Sequence, residues 1–566
     1  MIEAIRRQPW FVLVNHFLTR YFDPEVESGE LRTGIPALLG LTAAPGLIAC
    51  AFLFDKSSTL RGWFLGVFTL DRDIETLPDK YIFLTLAFAI SGLATVFKWD
   101  SLHPDRKDYM ILASLPVSPV SIFAAKFCAL GLFVMIFATA VNIAGTILFP
   151  AVVLGNTGNT AEMLRYLVAH FLATFAASLA GALLVIATAG LLLNLLPAAA
   201  MRRASSGLQF AFLVLFLTQL FLAPQVAYKL FEFFEGPQWR LLLFPTMWFV
   251  GLYEQILHRS KMDLTIYAEW SRIALITTAA LSVIFYVAGY FRHFRRTAET
   301  PEAGVTPGRT WRLLPRPRDP REAAVVEFVK QTISRSRVHR LVLRVFLGLG
   351  CSVIVQELVG RFVVGLRPSQ GLVAMELSSP LVVSFFLLVG LRLLLDIPAD
   401  RDAAWAFRIA LDDTAAQPVL RGVRRVLFEI GIVAWLAVTT PVNIALLGIT
   451  VGLAYSAFCL IAGIILLDSL LFTFRKVPFA CAMSEERTYV GLMFSAACGV
   501  FLVYAYALTA VEAALLRSAV GFFVGLLVMM AIWLHLRMKK RDWTTLNTRL
   551  DLVGGTPPVI MTLDLQ

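Results

Sequence analysis

The sequence predicts an all-α, polytopic membrane protein with about twelve transmembrane helices in two parallel six-helix repeats. Hydrophobic residues make up 58% of the 566 residues and charged residues only 16%, and the mean hydropathy is +0.73. Many apolar runs approach the ~20 residues that span a bilayer, and they lack the alternation of a β-barrel. A charged segment that contains proline also occurs twice, at matching places in the two halves.

Apolar runs define the predicted spans. Because lipid cannot hydrogen-bond the backbone, each run is expected to be helical. The first half contains the runs 35–54, 81–97, 123–148, 169–195, 208–230 and 273–290. The second half contains the runs 345–359, 380–395, 427–446, 448–470, 490–508 and 519–536.

Basic residues predict the orientation of these spans. With a cytoplasmic N-terminus, about 36 of the Lys and Arg residues fall in cytoplasmic loops and about 12 fall outside, which is the normal bias. Both termini are therefore predicted to be cytoplasmic, and anionic lipid headgroups are the expected partners of the positive excess. The predicted parts are an amphipathic helix and lead-in at 1–34, a first six-span half at 35–290, a basic cytoplasmic linker with a second amphipathic helix at 291–344, a second six-span half at 345–536 and a cytoplasmic tail at 537–566.

Cysteines, histidines and short motifs exclude several functions. The six cysteines form no CxxC pair and lie mostly in apolar runs, which predicts neither a disulfide framework nor a metal site. The seven histidines are scattered, and the chain contains no HExxH, GxxxxGK[ST], GxSxG or GxGxxG motif. The sequence therefore predicts no catalytic residues and no ATP hydrolysis by this chain.

The repeated charged segment lies between the second and third spans of each half. Pro104, Asp105 and Arg106 open it in the first half, and Pro398-Ala399-Asp400-Arg401 opens it in the second. The tetrapeptide VNIA follows in the third span of each half, at 141–144 and at 442–445. Because six spans separate the two copies, both segments are predicted to face the same side of the membrane.

Each copy is predicted to form a short helix on the cytoplasmic surface. In the first copy, Pro104 favours the first helical turn, and Tyr109 and Leu112 share an apolar face. In the second copy, Trp405 and Phe407 are the candidate anchors. Two interpretations stay open: such a helix docks into a partner protein, or it tucks beneath its own bundle as an ordinary interfacial helix.

The predicted outer loop from 231 to 271 contains an apolar stretch, LLLFPTMWFVGLYEQIL. Because exposure of all its large apolar side chains to water would be unfavourable, the segment is predicted to dip back toward the membrane and cap an outer vestibule. The side chains concerned are Trp248, Phe249, Leu252 and Tyr253.

Polar residues inside spans are candidates for a transport path. They are Asn142, His170, Glu357, Asn443 and Asp468. A structural role is the alternative for each: the asparagines can hydrogen-bond between helices, and Asp468 can pair with Arg392 or Arg475. Glu429 and Arg392 lie near predicted cytoplasmic ends, where their side chains can snorkel to the surface.

These features resemble the membrane subunits of type-2 ATP-binding-cassette (ABC) exporters, in a double-length form that carries both halves. The stretch MIEAIRRQPWFVLVNHFLTRYF is similar to the connecting helix of that family, the charged segments to its coupling helices, and the outer apolar stretch to its re-entrant helices. The resemblance implies a partner ATPase, in two copies, that binds ATP and Mg²⁺ and docks on the two segments. It also implies a bacterial cytoplasmic membrane.

Two observations qualify this resemblance. The outer loop between the last two spans, AYALTAVEAALLRSAV, is too short for a second re-entrant pair. A secondary transporter of the major facilitator class is the alternative, because it also has twelve spans and a basic central loop. However, the charged loop of that class normally carries glycines around its Asp-Arg pair, and SLHPDRKDYM has none.

Overall fold

The fold comes from a computed structural model of the whole chain. It describes residues 9–22, 34–56, 76–102, 112, 114, 116–154, 159–235, 239–258, 263–299, 313–365, 372–399, 416–480, 499–501, 503–515 and 518–546.

The described residues are all-helical, without β-strands, as predicted for a helical membrane protein. In these ranges nine helices are long and apolar enough to cross a membrane. They cover Leu77–Phe97, Pro119–Leu154, Thr160–Leu195, Ala204–Tyr228, Thr265–Gly289, Arg337–Phe362, Ala416–Ala445, Ile449–Leu470 and Ala519–Lys540. Three shorter apolar helices, Thr42–Leu53, Ser379–Leu394 and Gly499–Val511, overlap the predicted first, eighth and eleventh spans. The total of twelve spans stays a prediction.

The chain divides into two compact units, Met1–Ala303 with Leu358–Leu366, and Gly304–Glu357 with Arg367–Gln566. The first unit begins with helix α1, Pro9–Phe22, and continues with α2, Gly34–Lys56, and α3, Leu77–Phe97. The long helices α4, Pro119–Leu154, α5, Thr160–Leu195, and α6, Ala198–Tyr228, follow. Three short helices, α7 at Leu230–Glu235, α8 at Trp239–Leu242 and α9 at Pro245–Leu257, precede α10 at Thr265–Glu299.

The centre of the first unit is the contact between α3 and α5. The middle of α5 reads ATFAASLAGALLVIATAG, and such small residues let transmembrane helices approach closely. At Gly181 a Cβ atom would lie only 2.2 Å from the carbonyl oxygen of Phe88 on α3. Glycine is therefore required there. Helix α9 packs against both helices of this pair, and α10 packs against α5.

The first amphipathic helix, α1, packs against α4. Its buried side chains recur at helical spacing and include Val14, Phe17 and Tyr21, whereas Trp10 and Val12 are exposed. The rings of Phe22 and Phe133 meet edge to face, with centroids 5.4 Å apart. Such a one-sided apolar surface is typical of a helix that lies along a bundle.

The second unit also starts with an amphipathic helix. A second amphipathic helix, α11, covers Pro320–Arg335 and precedes α12, Arg337–Phe362, and α13, Leu372–Leu394. The next long helix consists of α14, Ala416–Phe428, a π-helical turn at Glu429–Val433, and α15, Ala434–Leu447. It is followed by α16 at Ile449–Leu470, a π-helical turn at Val503–Ala507, α17 at Leu508–Leu515 and α18 at Ala519–Leu546.

Candidate functional site

The predicted outer segment forms helix α9. Phe244 precedes it in an extended conformation, Pro245 occupies its first turn, and His258 ends it with φ of 52°. Phe249 and Tyr253 are buried, while Trp248 and Leu252 are partly buried. The four predicted side chains therefore lie in or beside the protein interior of the first unit, and the dip toward a membrane stays a prediction.

Close packing fixes α9 against the start of α10. A Cβ atom at Gly251 would lie 2.6 Å from the amide nitrogen of Ala268 and 2.8 Å from the carbonyl oxygen of Leu264. The Trp248 indole donates a hydrogen bond to the carbonyl of Leu242 at 3.1 Å. Just before α10, hydrogen bonds donated by Thr265 lower the pKa of the exposed Asp263 carboxyl.

A fully buried ion pair joins α9 to α3. The ammonium of Lys80 lies 2.5 Å from a carboxylate oxygen of Glu254, and the two side chains are 0% and 2% exposed. The ring centroids of Tyr253 and Tyr166 lie 5.0 and 5.7 Å from the same ammonium, within cation–π range. The pair therefore ties the short helix to the first turn of α3.

His170 of α5 lies beside this ion pair. Its ring contacts Phe149, Phe83 and Tyr253, with centroid separations of 4.9, 5.2 and 5.7 Å. It is 1% exposed, and among the described residues neither ring nitrogen has a hydrogen-bond partner. Together with Lys80, Glu254 and Tyr253, it forms a buried polar cluster that we call the α9 cluster.

The sequence singled out His170 and Tyr253 but missed Lys80 and Glu254. The available signal was a lone acidic residue in the apolar stretch WFVGLYEQIL. An isolated charge in such a stretch requires a buried partner. Its partner lies 174 residues away, so the sequence pattern could not identify it.

The two VNIA asparagines make related hydrogen bonds. Asn142 donates to the Ser178 hydroxyl on the next long helix at 2.8 Å, and Ser178 donates to the carbonyl of Ala87 at 3.1 Å. Asn443 lies 3.5 Å from the Ser456 hydroxyl, also on the next helix. Each asparagine thus faces a serine of the following helix, which favours the helix-linking role.

We expect Asn142→Leu to lower the free energy of unfolding by about 1 kcal/mol, since interhelical hydrogen bonds in membranes average about 0.6 and reach about 1.7 kcal/mol. Equilibrium unfolding in detergent would measure it. Thr139→Val is the matched control, because the exposed Thr139 hydroxyl donates within its own helix, to the carbonyl of Met135. Equal effects of the two substitutions would contradict a helix-linking role for Asn142.

Asp468 pairs with neither Arg392 nor Arg475, the two partners expected from the sequence. Arg424 of α14 makes a bidentate contact with it at 2.7 and 2.9 Å, and the Trp533 indole donates to it at 2.9 Å. Arg392 instead pairs with Asp396 one turn along, at 2.6 Å. The remaining candidate, Glu357, is partly buried on α12.

The sequence placed Glu429 where its side chain could snorkel to the surface. In the structure the residue is instead buried, with 2% of its surface exposed. Its carboxylate accepts hydrogen bonds from the Lys330 ammonium at 2.7 Å and from the Leu313 amide at 2.8 Å. Lys330 belongs to the amphipathic helix α11, and Glu429 begins a π-helical turn. Single π turns inside α-helices occur often at functional sites.

Most of the predicted docking residues lie outside the described residues. They are Pro104, Asp105, Arg106, Tyr109, Asp400, Arg401, Trp405 and Phe407. Leu112 is described, and it is helical and 7% exposed. Its burial is compatible with either interpretation of the segment, since a helix tucked beneath its own bundle would also bury it.

The described residues form no group of three or more His, Cys, Asp or Glu side chains that could hold a metal ion. The long apolar helices define the class of this chain, a helical protein embedded in a membrane. Comparison of the chain with protein-family models, curated proteins and solved structures finds no match.

Proposed function

We propose that this chain is the transmembrane permease subunit of an ABC exporter in a bacterial cytoplasmic membrane, with both termini cytoplasmic. A separate ATPase subunit, in two copies, docks on the two Pro/Asp/Arg segments and supplies ATP and Mg²⁺. The chain contains no phosphate-binding motif of its own. Energy must therefore reach it mechanically, through a surface that a partner protein can move.

The order of elements is the observation that carries this proposal. In each half an amphipathic helix precedes two apolar helices, then the Pro/Asp/Arg segment, then a long helix with the VNIA asparagine. Both amphipathic helices, α1 and α11, bury one face in their own unit. This arrangement is similar to the connecting helix and coupling helix of type-2 exporters.

Helix α9 adds a second line of support. A short apolar helix before the last long helix of the first half resembles the re-entrant helices of the same family. In the second half, α17 ends at Leu515 and α18 begins at Ala519, which leaves no space for an equivalent helix. The two halves therefore differ on the predicted outer side, and we propose that α9 caps the transport path of the first half.

Reconstitution with an ABC-type ATPase encoded beside this chain tests the proposal. We expect a stable complex and ATP hydrolysis that increases when the ATPase is added to proteoliposomes containing the chain. An ATPase with an inactivated phosphate-binding lysine controls for contaminating activity. Failure to bind such an ATPase, together with transport driven by a proton gradient alone, would favour the major facilitator alternative.

The aromatic anchors of the docking segments should carry most of the contact energy. We expect Trp405→Ala and Tyr109→Ala each to cost about 2 kcal/mol, or about thirtyfold in affinity for the ATPase. Lys107→Ala is the control and should cost less, since a charge at the rim of an interface contributes less than a central aromatic anchor. Titration of the ATPase onto the chain in nanodiscs would measure this; wild-type affinity in both aromatic variants would show that the segments are ordinary interfacial helices.

A further inference from the structure

The residues that lead into the second Pro/Asp/Arg segment are held by one residue of a distant loop. Phe479 donates its backbone amide to the carbonyl of Leu395 at 3.1 Å, and its carbonyl accepts from the amide of Ala399 at 3.0 Å. Its φ is 62°, a left-handed conformation that is uncommon for a bulky residue. These two hydrogen bonds and a buried ring hold Phe479 in that conformation.

A histidine connects the same residues to the end of the amphipathic helix α11. The Nε2 atom of His339 lies 3.1 Å from the carbonyl oxygen of Ile397 and its Nδ1 atom 2.7 Å from the Ser336 hydroxyl. Because a carbonyl can only accept, Nε2 carries the proton and Nδ1 accepts from Ser336. The imidazole also meets the ring of Phe479 edge to face, with centroids 4.8 Å apart.

Arg392 adds a third connection, to the end of α16. Its guanidinium pairs with Asp396, donates to the carbonyl of Leu470 at 3.2 Å and lies 4.6 Å from the ring centroid of Phe474. The stretch from Leu471 to Ala480 contains the Arg475–Ala480 motif RKVPFA, and several of its side chains are buried. Such burial is unusual for a connection between helices, which normally runs over the surface.

The first unit makes the same type of connection with different residues. There the described residues that precede the first Pro/Asp/Arg segment end at Leu102. The Tyr21 hydroxyl of α1 donates to the carbonyl of Ser101 at 3.4 Å. On the other side, Trp99 donates to the Ser205 hydroxyl of α6 at 2.6 Å, and Gln209 of α6 donates to the carbonyl of Val96.

In both units, therefore, the residues that precede the Pro/Asp/Arg segment are bound on one side by the amphipathic helix or by its junction with the next helix. On the other side they are bound by the chain that follows α5 in the first unit, namely α6, and by the chain that follows α16 in the second. Different side chains make this connection in the two units, so its recurrence does not follow from a shared motif.

We infer that His339 and Phe479, which we call the positioning pair, hold residues 395–399, which lead into the second docking segment, in place and pass their movement to α11 and to the chain after α16. Both are positioning residues. That a docked ATPase causes this movement rests on the proposed function. The positioning itself does not, because it follows from hydrogen bonds within one unit.

Four variants of the full chain in nanodiscs test the inference. His339→Leu removes both side-chain hydrogen bonds, whereas His339→Gln keeps a donor near the position of Nε2. Phe479→Gly keeps the left-handed backbone and removes the ring. His535→Leu replaces a histidine of the same unit that is exposed, and serves as the control.

Hydrogen–deuterium exchange of the amides from 395 to 399 is the first measurement. We expect His339→Leu and Phe479→Gly to speed exchange there about two- to tenfold, since each loses contacts that hold these residues. His339→Gln and His535→Leu should exchange nearly as the wild type does. Unchanged exchange in both His339→Leu and Phe479→Gly would overturn the positioning role.

The second measurement separates binding from coupling. With the ATPase at saturating concentration, we expect His339→Leu to lower stimulated ATP hydrolysis severalfold, while His339→Gln restores it. Faster exchange with wild-type stimulation would overturn the transmission of movement. If the wild-type chain binds no ABC-type ATPase, the proposed function fails, and the exchange experiment still decides the positioning role.

Discussion

We expect Lys80→Met to lower the free energy of unfolding of the first unit by about 3–5 kcal/mol, because it leaves the Glu254 carboxylate buried without its partner. Glu254→Leu should have a similar effect, since it leaves the Lys80 ammonium buried. Both side chains are almost fully excluded from solvent, so water cannot compensate for the lost ion pair. Equilibrium unfolding in detergent, followed by tryptophan fluorescence, would measure both changes.

The double variant Lys80→Met with Glu254→Leu is the critical comparison. It removes both charges, and replacement of a buried pair by apolar side chains is often nearly neutral. We expect it to be at least about 2 kcal/mol more stable than either single variant. Lys229→Met is the control, because the Lys229–Glu232 pair is partly exposed and should contribute less than about 1 kcal/mol. Additive effects in the double variant would mean that the two charges act independently.

Local patterns predicted the elements of this fold well. The helical spacing of apolar residues in the N-terminal stretch indicated an amphipathic helix, and the structure has α1 there. The apolar stretch from Phe244 to Leu257 predicted a separate segment that dips back toward the membrane; α9 covers nearly the same residues, and the dip itself stays a prediction. In both cases the signal lies within about four helical turns, where periodicity reports directly which face is buried.

Partners between distant helices could not be predicted in the same way. Asp468 and Arg424 are 44 residues apart, and their contact depends on how α14 and α16 are rotated about their axes. The sequence offered Arg392 and Arg475 because they lie near the ends of neighbouring spans. However, Arg392 has an acidic residue four positions along its own chain, which competes for it locally. Helix rotation depends on the packing of many side chains, and no short pattern records it.

The second large effect concerns the ion pair between α11 and the π-helical turn. We expect Glu429→Leu to lower the free energy of unfolding of the second unit by about 3–5 kcal/mol, because two donors, one of them a buried charge, lose this acceptor. One donor is the Lys330 ammonium and the other is the backbone amide of Leu313. Thermal unfolding in detergent, with hydrogen–deuterium exchange of residues 313–335, would measure the loss and locate it.

A double variant separates the contribution of the ion pair from that of the bond to the Leu313 amide. Lys330→Met with Glu429→Leu removes both charges but still leaves the Leu313 amide without its acceptor. Because Leu313 is 43% exposed, water can solvate its amide, and we expect a remaining loss of about 0.5–1.5 kcal/mol, the net contribution of one hydrogen bond. Arg421→Met is the control, because Arg421 is 57% exposed and its contact with Asp319 is worth less than about 1 kcal/mol. Full recovery in the double variant would show that the bond to the Leu313 amide contributes nothing, and that the Lys330–Glu429 pair alone attaches α11 to the π-helical turn.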